Sequence, residues 1–281
     1  DFYEYDPLLN LWTKKADYVA GSRYGAMAFS IGNKGYVGCG KDQGLFSGTK
    51  DFWEYDPVAD SWTEKANVGN VMRSFGVGFN LANKGYIGLG AEGYDTRKKD
   101  LWEFDPANGP DGSWIQKANL PATERYGAYT FTIDNIAYVG SGYYYSVLND
   151  LCAYNPYTKT CEEKASRNEA ARGQGAAFSV GGKGYVGFGA DNTDYVNTIF
   201  EYTPGLITNC PPTQTLCFNI SNNYSIPELY ANSNCGIQSI TFDITGATTR
   251  NGTGTNASGT FTSGTSFISW TIMDRGGNNS V

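Results

Sequence analysis

Up to about residue 204 the chain is built from short runs in which aromatic and β-branched residues alternate with small or polar ones. Period-two patterning of this kind predicts strands half buried on a pleated surface. The runs recur. The phrase Asp1-Phe2-Tyr3-Glu4-Tyr5-Asp6-Pro7 returns at Asp51 to Pro57, Asp100 to Pro106, Asp150 to Pro156 and, in weaker form, Thr198 to Pro204, at spacings of 50, 49, 50 and 48. A second phrase stays in register with it: Lys34-Gly35-Tyr36-Val37-Gly38-Cys39-Gly40, then Lys84 to Gly90, Ile136 to Gly142 and Lys183 to Gly189. A tryptophan column, Trp12, Trp62 and Trp114, has Cys161 in its fourth place. Each unit therefore predicts four short strands: one through Ala26 to Ile31, the Tyr-Val-Gly-x-Gly phrase, the Trp-Glu-Tyr phrase, and a short strand around the tryptophan. The Asp-Pro steps supply a turn between the third and fourth strands. The paired glycines are expected where strands crowd and a side chain would collide. No helix follows them, so they do not read as a phosphate cradle.

This repeat resembles the kelch repeat, whose period near 50 separates it from the shorter WD repeats. The resemblance covers residues 1–204 and departs from the usual motif in having Gly-x-Gly where adjacent glycines are commoner. It implies an all-β fold, a β-propeller, and propellers have ~4–8 blades. Three whole repeats, an N-terminal half blade and a C-terminal partial blade add up to four blades with one strand over. That count favours part of a larger, incomplete ring over a four-blade ring.

Residues 205–281 form a second region with only five charged side chains and no lysine. A linker is one reading of such a composition. The alternating runs Ile237 to Ile244 and Phe267 to Ile272 favour a small β-sandwich instead. Its Cys210-Pro211-Pro212 opening and the segment Trp270 to Asn278 resemble the HYR-like immunoglobulin-type modules of secreted surface proteins, with the last strand absent.

Composition then removes chemistry. The 281 residues include no histidine, which excludes Ser-His-Asp and Cys-His nucleophiles and any histidine-bearing zinc or copper centre. A net charge of −7 and a pI near 4.7 argue against a nucleic-acid partner. No stretch approaches the ~18 apolar residues of a membrane-spanning helix. Asp191 and Asp194 alone fall short of a calcium loop, so no metal or cofactor is expected. Among the six cysteines, Cys152 and Cys161 replace two tryptophan columns at once. Reflecting the hairpin about Pro156 and Tyr157 puts them opposite each other, which predicts a disulfide and an oxidising, extracellular or cell-surface location. Cys39 is expected to be free and buried, and the pairing of Cys210, Cys217 and Cys235 stays open.

Arg23, Arg73, Arg125 and Arg172 each fall just before the glycine that opens a blade's first strand. In kelch proteins that recognise acidic motifs, arginines at this place make the key contacts, so the resemblance implies a ring of guanidiniums on one rim. The alternative is that each pairs with a blade carboxylate such as Glu54 or Glu103 and orders a turn. The loops between second and third strands carry Leu45 and Phe46, Tyr94, Tyr143 to Tyr145, and Tyr195. Tyrosines there can stack on sugars or anchor partners, or pack between blades; of Tyr143, Tyr144 and Tyr145 at least one must point outward. Three functions follow. The first is a non-catalytic module binding a glycan or protein ligand, acidic in character. The second is a carbohydrate enzyme like the kelch sialic-acid epimerases, or lyase-like, using Glu124 with Arg125 and a tyrosine for proton shuttling; a kelch copper oxidase is excluded by the missing histidines. The third is a structural part of a surface adhesin or filament.

Overall fold

The computed structural model describes residues 1–281 apart from 43, 45–47, 71, 94–95, 121–122, 157–158, 165–170, 205–206, 210–220, 233–236, 275–278 and 281. The chain divides into two compact units, Asp1–Val180 with Gly184–Glu201, and Gly181–Lys183 with Tyr202–Val281.

The first unit is a row of antiparallel sheets in the order the repeats prescribe. A hairpin, β1 (Phe2–Asp6) and β2 (Leu11–Lys15), precedes a first blade of β3 (Met27–Ile31), β4 (Lys34–Gly38), β5 (Phe52–Asp56) and β6 (Ser61–Lys65). The second blade holds β7 (Val77–Leu81) and β8 (Lys84–Gly88), then a short ribbon of β9 (Ala91–Glu92) and β10 (Thr96–Arg97) in the loop, then β11 (Leu101–Asp105) and β12 (Ser113–Lys117). The third blade is β13 (Tyr129–Ile133), β14 (Ile136–Gly140), β15 (Leu151–Asn155) and β16 (Thr160–Lys164), and the last is β17 (Ala176–Val180), β18 (Lys183–Gly187) and β19 (Ile199–Tyr202). The inner strands β3, β7, β13 and β17 pack in succession. This is a propeller arrangement of three full blades with partial blades on either side.

The cores lie between blades. Met27, Phe29, Tyr36 and Phe52 of the first blade share a cluster with Ile87, Phe104 and Trp114 of the second. Val77, Phe79, Leu81 and Tyr86 of the second meet Ala137, Val139 and Tyr154 of the third. Burying one such side chain is worth ~1.5–3 kcal/mol, so each interface rests chiefly on its aromatics. The Asp-Pro steps turn as expected: Asp56 accepts hydrogen bonds from the backbone of Val58 and Ala59 at 2.8 and 3.2 Å.

Cys152 and Cys161 form a disulfide across β15 and β16, with Cα atoms 5.6 Å apart. The two are not opposite each other, as the reflection required. Cys152 faces Glu163 and Cys161 faces Tyr154, so the bond runs diagonally. The register pairs Asn155 with Thr160, which moves the centre of the hairpin one residue beyond the expected point. The tryptophans they replace are likewise no stacked pair, because Trp62 lies opposite Tyr55 and packs on its ring at 5.0 Å. Cys39 is free and fully buried, and burial pushes its thiol up to about 12.

In the second unit β20 (Ile207–Asn209) pairs with β22 (Tyr230–Asn232), and β21 (Asn223–Tyr224) with β25 (Gly259–Thr260). β23 (Ile237–Gly246), β24 (Arg250–Thr253), β26 (Ser266–Asp274) and β27 (Asn279–Ser280) form a four-stranded antiparallel sheet in the order β24-β23-β26-β27. Phe242, Ile244, Trp270 and Ile272 from this sheet bury themselves against Leu229 and Ala257. Both alternating runs read as strands from the sequence are thus paired neighbours. Cys210, Cys217 and Cys235 lie outside the described residues.

Candidate functional site

The connections into each inner strand and the loops leaving each second strand meet at one end of the blades. Isolated bridges join them: Tyr24 to Lys41, Ser74 to Ala91, Tyr126 to Tyr143 and Gly173 to Ala190. Backbone bonds also run from blade to blade across this face. Phe75 donates to the Gly25 carbonyl at 2.8 Å, Gly127 to that of Phe75 at 2.7 Å and Gln174 to that of Gly127 at 2.9 Å.

All four repeated arginines are on this face, and all four turn inward. Arg73, Arg125 and Arg172 are 0, 1 and 2% exposed. Arg73 grips Asp100 with two hydrogen bonds of 3.0 and 2.6 Å and donates to the Leu89 carbonyl at 3.1 Å. Arg125 repeats the arrangement with Asp150, at 2.5 and 2.7 Å, and with the Ser141 carbonyl at 2.9 Å. Arg23 does so with Asp51 and the Cys39 carbonyl. Where the phrase reads Thr198 the carboxylate is lost, and Arg172 bonds the threonine hydroxyl at 2.9 Å instead. Burial works to raise the carboxyl pKa of Asp51 and Asp100, but the hydrogen bonds and charge of their arginines, together with the bonds Asp51 accepts from Thr49 and Trp53 and Asp100 from Trp102, outweigh it and hold both below the usual range.

The Gly-x-Gly departure has its reason here. Cys39, Leu89, Ser141 and Phe188 occupy x with φ of 57, 55, 59 and 59°, in the left-handed region, and in the first three the carbonyl accepts from the arginine. The following glycine also has positive φ, and a side chain on Gly90 would meet the Ser74 carbonyl at 2.6 Å. The expected ring of open guanidinium forks is therefore replaced by four pins, and the carboxylates are the leading aspartates of the Trp-Glu-Tyr phrase. Glu54 and Glu103 serve elsewhere, accepting from Tyr36 at 2.8 Å and Tyr86 at 2.6 Å.

The tyrosine run divides. Tyr143 packs down, stacked on Tyr126 at 5.4 Å and donating to the Ala190 carbonyl at 3.1 Å. Tyr144 and Tyr145 meet edge to face at 4.4 Å, and Tyr145 is 82% exposed. Above them lies a residue that sequence reasoning missed. Arg97, at the end of β10, places its guanidinium carbon 4.8 Å from the Tyr145 ring centre, 5.5 Å from Tyr144 and 5.9 Å from Tyr126. Among the described residues no carboxylate pairs with it, and its Nε is buried without a hydrogen-bond partner. Neighbouring Lys98 is committed to Glu92 at 3.0 Å. A planar cation seated on tyrosine faces keeps its outward donors aligned for an incoming acceptor, at small conformational cost. The only sequence signal was a basic cluster, Arg97-Lys98-Lys99, confined to one repeat.

The remaining candidates contribute less. Tyr195 is exposed, while Leu45, Phe46 and Tyr94 lie outside the described residues. Asp191 spends its carboxylate on the turn it opens, accepting from Thr193 at 2.7 Å and Asp194 at 2.8 Å. Among the described residues no cluster of three metal-ligating side chains occurs.

Fold and face together define a β-propeller that displays variable loops over a pinned frame. No family model and no curated protein matches the chain. Among solved structures, one described as "Structure of YjhT" resembles it with a TM-score of 0.54 and 14% identity, over 68% of this chain and 84% of that one. At that identity the likeness shows the fold.

Proposed function

We propose that the chain is a non-catalytic binding module of kelch type, acting outside the cell or at its surface, that takes an acidic glycan or protein ligand on its loop face. The observation that carries this reading is Arg97, a guanidinium with no carboxylate among the described residues, lying over Tyr126, Tyr144 and exposed Tyr145. Guanidinium donors pair with carboxylates in a fixed fork, and tyrosine faces next to them accept the apolar side of a sugar ring or a peptide. The disulfide supports the extracellular setting, because such bonds persist in oxidising compartments. The sandwich unit, resembling HYR-like modules, then acts as a spacer.

The enzymatic reading loses its arginine. Arg125 is locked by Asp150 and buried, which leaves Glu124 without a neighbouring free cation from that pair. An array of acidic and neutral glycans and acidic peptides, probed with the wild type and with Arg97→Ala and Tyr145→Ala, tests the proposal. Selective retention of acidic members, lost in both variants, is expected; retention unchanged in Arg97→Ala would sink it.

A further inference from the structure

The third blade builds its pin differently from its siblings. In the first two blades an indole joins the arginine on the aspartate: Trp53 donates to Asp51 at 3.0 Å and Trp102 to Asp100 at 2.6 Å. A second tryptophan ties each outer hairpin to the segment that follows the preceding hairpin, Trp62 to the Ala16 carbonyl at 3.0 Å and Trp114 to that of Ala66 at 2.8 Å. The third blade has Cys152 and Cys161 at these two places, joined by a disulfide. Disulfide sulfurs carry no proton, so neither bond can be made. Asp150 is left the most exposed of the three aspartates, with 33% of its side chain accessible against 23% for Asp51 and 16% for Asp100. A covalent bond stands where two hydrogen bonds stand elsewhere.

This pin carries the tyrosine platform. Arg125 holds Asp150 through its guanidinium, while its backbone N–H donates to the Lys98 carbonyl at 3.2 Å and its carbonyl accepts from Gly90 at 2.8 Å. It therefore fixes both ends of the stretch that contains Arg97. Tyr126, one of the rings beneath Arg97, is the next residue along the chain. The Asp150 carbonyl accepts from Ser141 at 3.1 Å and the Ser141 carbonyl from Arg125 at 2.9 Å, which sets the start of the loop bearing Tyr143 to Tyr145. Guanidinium and rings alike hang on one ion pair beside Cys152.

We infer that the Cys152–Cys161 disulfide is a redox control on the Arg97 platform: the oxidised chain holds the guanidinium and rings in place for an acidic ligand, and the reduced chain releases them. The inference rests on the reading of Arg97 as the ligand site. The reductant is a dithiol, and Cys161, partly exposed on the outer strand, gives it an approach. One thiolate of the reductant attacks the Cys161 sulfur and displaces Cys152; its second thiolate then closes the reductant's own disulfide and displaces Cys161. Two electrons and two protons pass from the dithiol to the cysteines. β15 and β16 keep their backbone pairing, but no indole takes over on Asp150, so the Arg125 pin loosens. The first two blades have no such bond to cut, and the effect stays local.

The test compares the full chain, oxidised and treated with dithiothreitol, with a Cys152→Ser, Cys161→Ser double variant. Retention on an array of acidic glycans and peptides should fall about tenfold in the reduced wild type and in the variant, an ordinary size for coupling between sites. Reductant should lower the variant's retention no further. Hydrogen exchange adds an arm that needs no ligand. The amides of Arg125 and Ser141 should exchange at least tenfold faster on reduction, whereas those of Arg73 and Cys39, which hold the corresponding places in other blades, should not change. Retention that survives reduction, a double variant that binds like the oxidised wild type, or exchange that rises equally at all four amides would each overturn the inference. Absence of retention in the oxidised wild type is a different failure: it removes the reading of Arg97, and the binding half of the inference with it, whatever exchange shows at Arg125.

Discussion

Five arginines reach the loop face, and the four that repeat behave differently from the one that does not. Arg23, Arg73, Arg125 and Arg172 are consumed within their blades by an aspartate, a backbone carbonyl or a threonine. Arg97 occurs in one blade, bonds to no carboxylate among the described residues, and lies over tyrosine rings. In a repeat protein, a charged residue found in every unit answers a need that every unit has, which here is to close the crossing between inner strand and loop. A residue that departs from the repeat is released from that need.

The contrast is sharpest in stability. Arg73→Ala leaves the largely buried Asp100 without its cation, and breaking a buried pair from one side costs ~3–5 kcal/mol. Denaturant unfolding should show a loss of that size, and a loss under 1 kcal/mol would mean that the pins are ornamental. Next in size is the third blade, whose siblings carry tryptophans where it carries Cys152 and Cys161. Cys152→Ser should lower stability by ~2–3 kcal/mol, the range for a short disulfide-closed loop. Adding reductant should lower the stability of the wild type by that much more than it lowers the variant's.

Acid should loosen the pins before it touches Arg97. The folded-state pKa values of Asp51 and Asp100 are depressed, so their contribution is complete above the unfolded value of ~3.9 and is lost as pH falls through the lower folded values. Thermal midpoints should therefore fall steeply below about pH 4. An Asp51→Asn, Asp100→Asn double variant, already destabilised, should show a flatter decline over the same window. An identical slope in variant and wild type would assign acid sensitivity to other carboxylates.

The difference between the two kinds of arginine also explains what the sequence disclosed. Strand order within each blade and the crowding at Gly38 and Gly88 were legible because the repeat fixes them, and the sandwich strands around Phe242 and Trp270 because their residues alternate. The place of the rim arginines was legible too, but their direction was not. Whether a guanidinium points out or in depends on the left-handed backbone at Cys39, Leu89 and Ser141, which aims a carbonyl at it, and no composition or spacing signals that conformation. The hairpin of the third blade was misread by one residue, which changed an opposed pair of cysteines into a diagonal one. Arg97 escaped because periodicity is the very signal it lacks.

The smallest stability effect carries the most information about function. Among the described residues Arg97 makes no ion pair, and its contacts are with partly exposed rings, so Arg97→Ala should change the unfolding free energy by no more than ~0.5 kcal/mol. Arg73→Ala sets the opposite standard in the same assay. If retention on acidic ligands is lost in Arg97→Ala at wild-type stability, the loss belongs to recognition and not to folding. Arg97→Lys separates the guanidinium from its charge. Lysine keeps the positive potential but forfeits the planar fork and much of the stacking on Tyr145, so affinity should fall by most of the alanine effect if geometry matters. Full rescue by lysine would reduce the site to a point charge, and with it the argument that the tyrosine platform was built to hold a guanidinium.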